Sequence, residues 1–367
     1  MMATERRRGS LDSLIQKLRQ SGEERPLVYS DTYNISFWCA LARAHLEGEL
    51  FSHKEIAWRR GIERMHPMDS KKFGNAMKKL RKRNVPTDAT EPVEAPPELL
   101  ARVHDPTYLH ELRTSSLAVA RACELGTLAM MPNRSLDQHV LAPMRRMVAG
   151  TVLASAIALK RNSYAINLGG GMHHAEFARG KGWCLFRDIS AAIVELTEAL
   201  DQPLRILYID VDVHQGDGVE LWKADGLPGA CDGTTLSICD IFNPSLFPGD
   251  RYAERFADIA VRLEPGCDGP SYMQKLRSAL EQVFEKRAQY DLCIYNAGTD
   301  TLDGDPLGGL KVPHEVLVER EETVVRKVLE ENEVPVVQVL SGGYTRESAS
   351  VVANAVSNLY QKGFVKQ

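Results

Sequence analysis

The sequence lacks the cysteine pattern of a disulfide framework or of a thiolate metal site. Its seven cysteines are scattered over 367 residues, are odd in number and form no Cys-x-x-Cys pair. Irregularly spaced cysteines of this kind are typical of proteins from reducing compartments. We therefore expect an intracellular protein of the nucleus, the cytoplasm or both.

Long apolar runs and a strong net charge are also missing. No apolar run approaches ~18 residues, so no membrane-spanning helix is expected. The charged N-terminus lacks the apolar core of a signal peptide. A net charge of −4 gives no reason to expect direct nucleic-acid binding. Hydrophobic residues at 44% and charged residues at 26% are ordinary for a soluble globular protein.

From residue 27 onwards, apolar β-branched runs alternate with helical patterns. Residues 1–26 are polar apart from one short amphipathic stretch, which predicts a tail or a loosely docked helix. Strands are predicted at 27–30, 164–168, 234–239, 292–297 and 334–340, and helices over most of 97–160 and at 189–200, 272–289, 316–331 and 345–359. This order predicts one α/β domain over 27–363, with a mainly parallel, doubly wound sheet flanked by helices.

A further buried strand begins at Arg205 and ends in the polar sequence Asp210-Val-Asp212-Val-His214. Residues two apart on an extended chain point to the same side, so the two carboxylates and the imidazole face one way. Burying them without a partner is costly, and a divalent cation would remove that cost. A surface strand end with solvated acids is the simpler alternative. The buried character of the strand and the further acid Asp217 argue against it.

Three other predicted strands end in similarly unusual sequence. Residues 167–174 contain three glycines and two histidines, residues 296–305 contain three aspartates, and residues 341–344 read Ser-Gly-Gly-Tyr. Parallel strands bring all four carboxyl ends to one edge of the sheet, where sites form in open α/β sheets. We therefore expect a single site at the carboxyl ends of the strands, built from these four segments.

We predict that Asp212, His214 and Asp300 are the ligands of a metal ion at this edge. Three protein ligands leave positions for water and substrate, which is the arrangement of a catalytic zinc site. Two carboxylates and one imidazole are a harder set than zinc usually has, so Fe²⁺ is the alternative occupant. Taken alone, Asp300 would be interpreted as a loop acid that caps a turn.

His173 and His174 are adjacent and follow a glycine turn. Two neighbouring histidines with acidic partners favour proton transfer. Asp210 and Asp217 are the natural partners, since a carboxylate bonded to one ring nitrogen fixes the tautomer. Tyr344 follows two glycines, and its phenol would donate a hydrogen bond to a developing oxyanion. Structural histidines and an ordinary loop tyrosine are the alternatives.

Together these motifs resemble those of the zinc-dependent histone deacetylases, which have the arginase/deacetylase fold. The resemblance runs from about residue 27 to 360. Its motifs are Gly-Gly-Gly-Met-His-His, Asp-Val-Asp-Val-His-Gln-Gly-Asp-Gly, Asn-Ala-Gly-Thr-Asp-Thr-Leu-Asp-Gly-Asp-Pro-Leu-Gly-Gly-Leu and Ser-Gly-Gly-Tyr. The segments at 28–35, 66–72 and 296–300 are most similar to class IV, the histone deacetylase eleven type.

The resemblance assigns the same metal ligands, histidines, acidic partners and tyrosine, and it adds substrate-binding residues. It implies that the Gly182 carbonyl receives the substrate amide N–H, that Trp183 and Phe247 form the walls of the acyl-lysine channel, and that His66 also binds substrate. The family usually has phenylalanine or tyrosine at the two wall positions, so Trp183 would narrow the channel.

A structural potassium ion is also implied by the resemblance. In the family it is held by main-chain oxygens at the positions of Asp210, Asp212 and His214 and by a serine that matches Ser237. The family also lacks about twenty residues present here at 38–60. This insertion is either a lid or partner surface at the pocket mouth, or an artefact of the gene model.

The activity implied is hydrolysis of the amide of Nε-acyl-lysine in proteins such as histones, by metal-activated water with histidine acid–base catalysis. Class IV implies long-chain fatty-acyl lysine as a better substrate than acetyl-lysine, and corepressor proteins as partners. An acetylpolyamine amidohydrolase of the same fold and a catalytically silent corepressor scaffold are the alternatives. A binuclear arginase-type centre would need a second ligand set, which the sequence does not show.

Overall fold

The structure is a computed structural model in which residues 2–35, 69–285 and 289–366 are described. The predicted insertion at 38–60 and the predicted substrate-binding residue His66 lie outside the described residues.

A seven-stranded parallel sheet forms the centre of the molecule. In chain order its strands are β1 (Leu27–Val28), β2 (Tyr164–Asn167), β3 (Arg205–Asp210), β4 (Thr235–Phe242), β5 (Ile259–Arg262), β6 (Leu292–Asn296) and β7 (Val336–Val339). The spatial order is β1-β2-β7-β6-β3-β4-β5. A small antiparallel pair, Arg19–Ser21 with Glu91–Pro92, lies apart from this sheet.

Helices cover both faces of the sheet because the central strands are apolar on both sides. Along β3, Ile206 and Tyr208 belong to one hydrophobic core and Leu207 and Ile209 to the other. The helices are α1 (Met2–Leu18), α2 (Lys72–Leu80), α3 (Pro97–Ala101), α4 (Pro106–Thr114), α5 (Ser116–Ala122), α6 (Asn133–Leu136), α7 (Ala142–Arg161), α8 (Asp188–Leu200), α9 (Asp217–Ala224), α10 (Gly269–Glu285), α11 (His314–Val325) and α12 (Ser348–Gln361).

The two layers have different helices. The buried apolar residues of α1, of α8 and, except for Met147, of α7 belong to the first core, and most of those of α2, α10, α11 and α12 belong to the second. The prediction of a parallel, doubly wound sheet flanked by helices is therefore confirmed.

The N-terminal segment is an integral helix of the first layer. Leu11, Leu14, Ile15 and Leu18 recur at helical spacing and are 0–5% exposed against α7 and α8. Of the two predicted alternatives the helix is observed, and it is firmly docked rather than loose. The polar residues that suggested a tail occupy its solvent-facing side.

The sequence analysis did not predict the strand β5 or the helix α9. The short edge strand β5 alternates half-buried and exposed residues, so it lacks the continuous apolar run that marked the central strands. The helix α9 begins at Asp217, where the sequence analysis predicted no helix. An acid in the first helical turn is favourable because it faces the positive end of the helix dipole.

Residues 133–161 form one helical stretch that is long and apolar enough to cross a membrane by length and composition. The sequence predicted helix over most of 97–160 but no segment able to span a membrane. In the fold, 83% of its most apolar window is buried. Its apolar residues contact α8 and β2, so packing within the protein accounts for its composition.

Candidate metal centre

The four predicted segments meet at the carboxyl edge of the sheet. Asp210 and Asn296 end the neighbouring strands β3 and β6 at the same register, and the Asn296 amide donates to Asp210 Oδ1 at 3.1 Å. From the segment after β7, the Ser341 hydroxyl and the Gly342 N–H both donate to Asp212 Oδ2 at 2.7 Å. The edge therefore gathers residues far apart in the chain, as parallel strand order predicts.

Asp212, His214 and Asp300 converge on one point. One ligand atom from each lies within 4.8 Å of the others, and all three residues are buried. Backbone N–H groups orient the carboxylates: His214 N–H donates to Asp212 Oδ1 at 3.0 Å, and Val213 N–H donates to Asp300 Oδ1 at 2.9 Å. Two oxygens and one nitrogen at this separation can coordinate a divalent cation.

The surroundings of this cluster suit a cation in two ways. Within the described residues, Asp212 and Asp300 form ion pairs with histidines and with no lysine or arginine, so their charge is poorly balanced. A Cβ added at Gly342 would lie 2.0 Å from Asp300 Oδ2, and one added at Gly298 would lie 2.3 Å from Asp212 Oδ2. These glycines keep the space beside the carboxylates open, and the donor set fits Zn²⁺ or Fe²⁺.

Each of the paired histidines is held by its own buried acid. His173 Nδ1 lies 2.8 Å from Asp210 Oδ2, and His174 Nδ1 lies 2.8 Å from Asp217 Oδ1. The Tyr208 hydroxyl donates to the same Asp210 oxygen at 2.6 Å. Since both Nδ1 atoms are engaged, the Nε2 atoms are the ones available for proton transfer.

The two imidazoles differ in charge at neutral pH. Burial and the neighbouring His173 lower the pKa of His174 to about 4. Burial also opposes protonation of His173, but Asp210 and Asp212 outweigh it and raise its pKa to about 9. The pair therefore consists of a neutral base and a charged acid, a division typical of acid–base sites.

Tyr344 faces the predicted metal ligands. Its ring centroid lies 6.1 Å from that of His214, with the rings nearly perpendicular, and its N–H donates to Asp305 Oδ2 at 2.8 Å. Burial and the charges of Asp212 and Asp300 raise the pKa of its phenol well above the usual value. The hydroxyl is thus a proton-bearing donor at neutral pH.

The predicted channel residues lie around His174. The Phe247 ring meets the His174 ring edge to face at 5.0 Å. A Cβ on Gly182 would lie 2.7 Å from the His174 ring and 3.1 Å from Phe247. Gly182 (φ 53°) and Trp183 (φ 65°) occupy the two central positions of a tight turn, a geometry that suits glycine and strains tryptophan. Both positions contribute to the cavity in front of the histidines.

The structure does not bring Ser237 to the other predicted potassium residues. Ser237 pairs with Leu207 in the sheet, whereas Asp240 pairs with Asp210. Three residues along a strand span about 10 Å, so the serine cannot reach the group directly. The prediction relied on the family resemblance, and along β4 Ser237 lies three residues before Asp240, the neighbour of Asp210 in the sheet.

Asp240 itself is a buried acid that the sequence analysis missed. Its Oδ2 accepts from the Gly216 N–H at 2.8 Å, while its Oδ1 has no hydrogen-bond partner in the described part of the chain. Burial, together with Asp210 and Glu220, raises the pKa of Asp240 well above its usual range. Asp240 is therefore a second buried acid paired with Asp210 across the sheet.

Two lysines and a further acid also belong to the site but were missed. Lys72 is 5% exposed and donates to the carbonyls of Ser341 and, at 2.8 Å, Gly342. Lys181 forms an ion pair with Asp217. Asp188 accepts from the N–H groups of residues 171 and 172 at 2.8 and 2.9 Å, which holds the glycine turn in place. Lysines and an acid before a helix are usually surface residues. Lys72 ends the segment 66–72 that resembles class IV, but no role was predicted for it, and no sequence signal marked Lys181 or Asp188.

Comparisons with known proteins agree with this architecture. The model of the histone deacetylase domain matches residues 66–360. Histone deacetylase 2 of Arabidopsis thaliana is 39% identical over 342 residues, which cover 93% of this chain and 80% of that protein. Histone deacetylase 8 of Xenopus tropicalis is 32% identical over 169 residues, 44% of this chain and 43% of that protein.

Two solved structures share the fold. The HDA15 HD domain has a TM-score of 0.62 at 18% identity and covers 81% of this chain and 85% of that one. An acetylpolyamine aminohydrolase from Burkholderia pseudomallei has a TM-score of 0.59 at 16% identity and covers 79% and 89%. Likeness at this identity shows the arginase/deacetylase fold alone. The extent of the domain match, with the identity to the Arabidopsis relative, shows that the chain belongs to the histone deacetylase domain family.

Proposed function

We propose that the protein hydrolyses the amide of Nε-acyl-lysine in proteins, as a zinc-dependent deacylase of class IV type. The observation that carries this proposal is the pair of histidines, each bound to its own buried acid, beside three convergent candidate metal ligands and Tyr344. This combination can remove a proton from water, stabilise an oxyanion and protonate a leaving amine at one site.

Each residue has a separate task in this scheme. His174, neutral at pH 7, takes a proton from the water that attacks the acyl carbon. Tyr344 donates a hydrogen bond to the carbonyl oxygen as it becomes negative. When the carbon–nitrogen bond breaks, His173 and His174 return a proton to the lysine amine. The Gly182 carbonyl accepts the substrate amide N–H and orients the bond.

Asp212, His214 and Asp300 would hold the cation, with Zn²⁺ as the proposed metal and Fe²⁺ as the alternative. When bound, such an ion polarises the carbonyl and lowers the pKa of water. Asp210 is occupied by His173, Tyr208 and Asn296, which supports its assignment to the histidine rather than to the metal.

A cavity beside the site supports a long acyl chain. It is partly open to solvent, so its apolar lining rather than its volume bears on the acyl chain. From the histidines and Tyr344 it extends to the apolar residues Ile35, Met144 and Met147. We propose that the part beyond the histidines receives the distal end of a fatty-acyl group.

The decisive experiment compares metal-loaded protein on peptides with acetyl-lysine or myristoyl-lysine and on acetylspermidine. We expect turnover of the lysine peptides, with myristoyl preferred. Tyr344→Phe should lower kcat by about 100-fold, because one oxyanion donor is lost, and His174→Ala should lower it at least as much. Hydrolysis of acetylspermidine alone would favour a polyamine hydrolase, and no turnover of any substrate would favour a silent corepressor scaffold.

The cavity can be tested separately. Met147→Phe adds volume inside it, and we expect the ratio of kcat/KM for myristoyl-lysine over acetyl-lysine to fall. Met131→Phe is the matched control, since Met131 is buried outside the cavity lining. An unchanged ratio in Met147→Phe would exclude this cavity as the acyl site. Histones, corepressors and a nuclear or cytoplasmic location are the proposed context of the activity.

A further inference from the structure

Lys181 lies between the turn that lines the pocket and the acid that holds His174. Its Nζ forms ion pairs with Asp217 and, at 2.6 Å, with Glu176. Asp217 is fully buried, and its two oxygens are divided: Oδ1 contacts His174 Nδ1 at 2.8 Å and Oδ2 contacts Lys181. Among the described side chains, Lys181 and His174 are therefore the two that contact this carboxylate.

The backbone of Lys181 starts the pocket-lining turn. Lys181 and Cys184 exchange backbone hydrogen bonds at 3.2 and 2.9 Å, and Gly182 and Trp183, both with positive φ, occupy the tip. This is the pattern of a type I′ turn. The tip is also held from outside, because Gly182 N–H donates to Glu124 and Trp183 N–H donates to the Ala122 carbonyl at 3.1 Å. The main chain of the turn thus has anchors that do not depend on the lysine side chain.

We propose that Lys181 is a positioning residue for the acyl-lysine hydrolysis: it fixes the Asp217 carboxylate so that this group orients His174. The inference rests on the proposed function, and it assigns a role to a residue outside the metal ligands and the histidine pair. A carboxylate with one free oxygen can rotate away from its histidine, whereas one held at both oxygens cannot. The lysine also balances the charge of an acid that has no access to water.

Loss of the lysine charge would affect its two acidic partners unequally. Glu176 keeps a bidentate contact with Arg179, at 2.7 and 2.8 Å, on the protein surface. Among the described side chains, Asp217 keeps only His174 as a partner, and it stays buried. We therefore expect replacement of Lys181 to change the orientation of His174 and to leave the Glu176–Arg179 pair intact.

Arg179 supplies a matched control. It is a cation on the same loop that pairs with the same Glu176, but it is 65% exposed and forms no ion pair with Asp217. A variant lacking Arg179 loses the same charge and perturbs the same loop without touching the carboxylate of the histidine.

The test measures kcat and KM of Lys181→Met, Lys181→Arg and Arg179→Met on the preferred acyl-lysine peptide, each at its own pH optimum. We expect Lys181→Met to lower kcat about 10-fold, the lower range for loss of an orienting partner. KM should change little because the turn keeps its other anchors. Lys181→Arg should restore most of kcat, and Arg179→Met should match the wild type. Unchanged kcat in Lys181→Met, or an equal loss in Arg179→Met, would overturn the proposal.

A double variant separates action through Asp217 from a general packing effect. If Lys181 acts through this acid, Lys181→Met added to Asp217→Asn should cause no further loss of kcat. Multiplicative losses would contradict the proposal, as would failure of Lys181→Arg to rescue a correctly folded enzyme.

A readout without turnover keeps the inference distinct from the proposed function. In protein with ¹⁵N-labelled histidine, the Nδ1–H signal of His174, assigned by its absence in His174→Ala, should shift in Lys181→Met and stay in place in Arg179→Met. If the wild type hydrolyses no acyl-lysine peptide, the proposed function fails, and this spectrum alone decides whether Lys181 orients His174. An unshifted signal would rule out that role.

Discussion

The different protonation of two adjacent histidines arises from their partners. Both rings are buried, which by itself disfavours charge. His173 faces Asp210 and Asp212, and their charge raises its pKa to about 9. His174 faces Asp217, whose charge is shared with Lys181, and lies next to the charged His173, so its pKa falls to about 4. At the residue scale, the location of a few carboxylates therefore decides which imidazole is the base.

Asp210→Asn tests this division. Asp210 raises the pKa of His173, so removal of its charge lowers that pKa. If charged His173 supports catalysis below about 9, the basic limb of the kcat/KM profile should move to lower pH by about one pH unit or more. The measurement is a pH–rate profile with an acyl-lysine peptide, and a basic limb at the wild-type position would contradict the assignment.

At the scale of elements, the candidate metal centre depends on backbone segments that pass close to the carboxylates of Asp212 and Asp300. The segment after β7 passes so near Asp300 and Asp212 that only a glycine fits at position 342. Lys72, from α2, holds this segment by donating hydrogen bonds to two of its carbonyls. Burial lowers the pKa of this lysine to about 8. The helix and the loop together place Tyr344 opposite the ligands.

Gly342→Ala should disrupt metal binding. Its Cβ would lie 2.0 Å from Asp300 Oδ2, so the loop or the carboxylate must move. We expect metal affinity or activity to fall by about 10–100-fold, measured as metal content and kcat/KM. Gly126→Ala is the control, because no atom lies within 4 Å of its added Cβ. Full metal content in Gly342→Ala would show that the segment relaxes without cost.

The N-terminal helix should contribute to stability and not to chemistry. Leu11 is 1% exposed and lies in the first core, remote from the carboxyl edge residues of the site. Leu11→Ala should lower the free energy of unfolding by about 2–5 kcal/mol, measured by denaturant titration. The metal content of the folded protein should stay at the wild-type value, and a matching loss of metal would contradict this separation.

At the scale of the whole molecule, the fold concentrates buried acids at one edge. Asp210, Asp212, Asp217, Asp240 and Asp300 are each 0% exposed, and the histidines and lysines of the site balance them in part. A cation that binds the folded state and not the unfolded chain stabilises the protein by mass action. Metal occupancy and global stability are therefore expected to be linked.

Removal of the metal with a chelator should abolish hydrolysis and lower the melting temperature by several degrees. Addition of Zn²⁺ or Fe²⁺ should restore both, and the more active ion identifies the better cofactor. Calorimetry and a peptide assay on the same sample provide the measurement. Activity that persists after complete metal removal would exclude the proposed chemistry.

The sequence by itself determined the order of the central strands and their helices, the carboxyl-edge location of the site and its motif residues, among them Asp212, His214 and Asp300. Local spacing sufficed because strand polarity is encoded in chain order, and parallel strands must end at one edge. It could not determine which acid holds which histidine, the burial of Lys72 and Lys181, or that Asp240 rather than Ser237 neighbours Asp210. Those facts depend on strand register and on contacts between residues far apart in the chain, which only the tertiary structure decided.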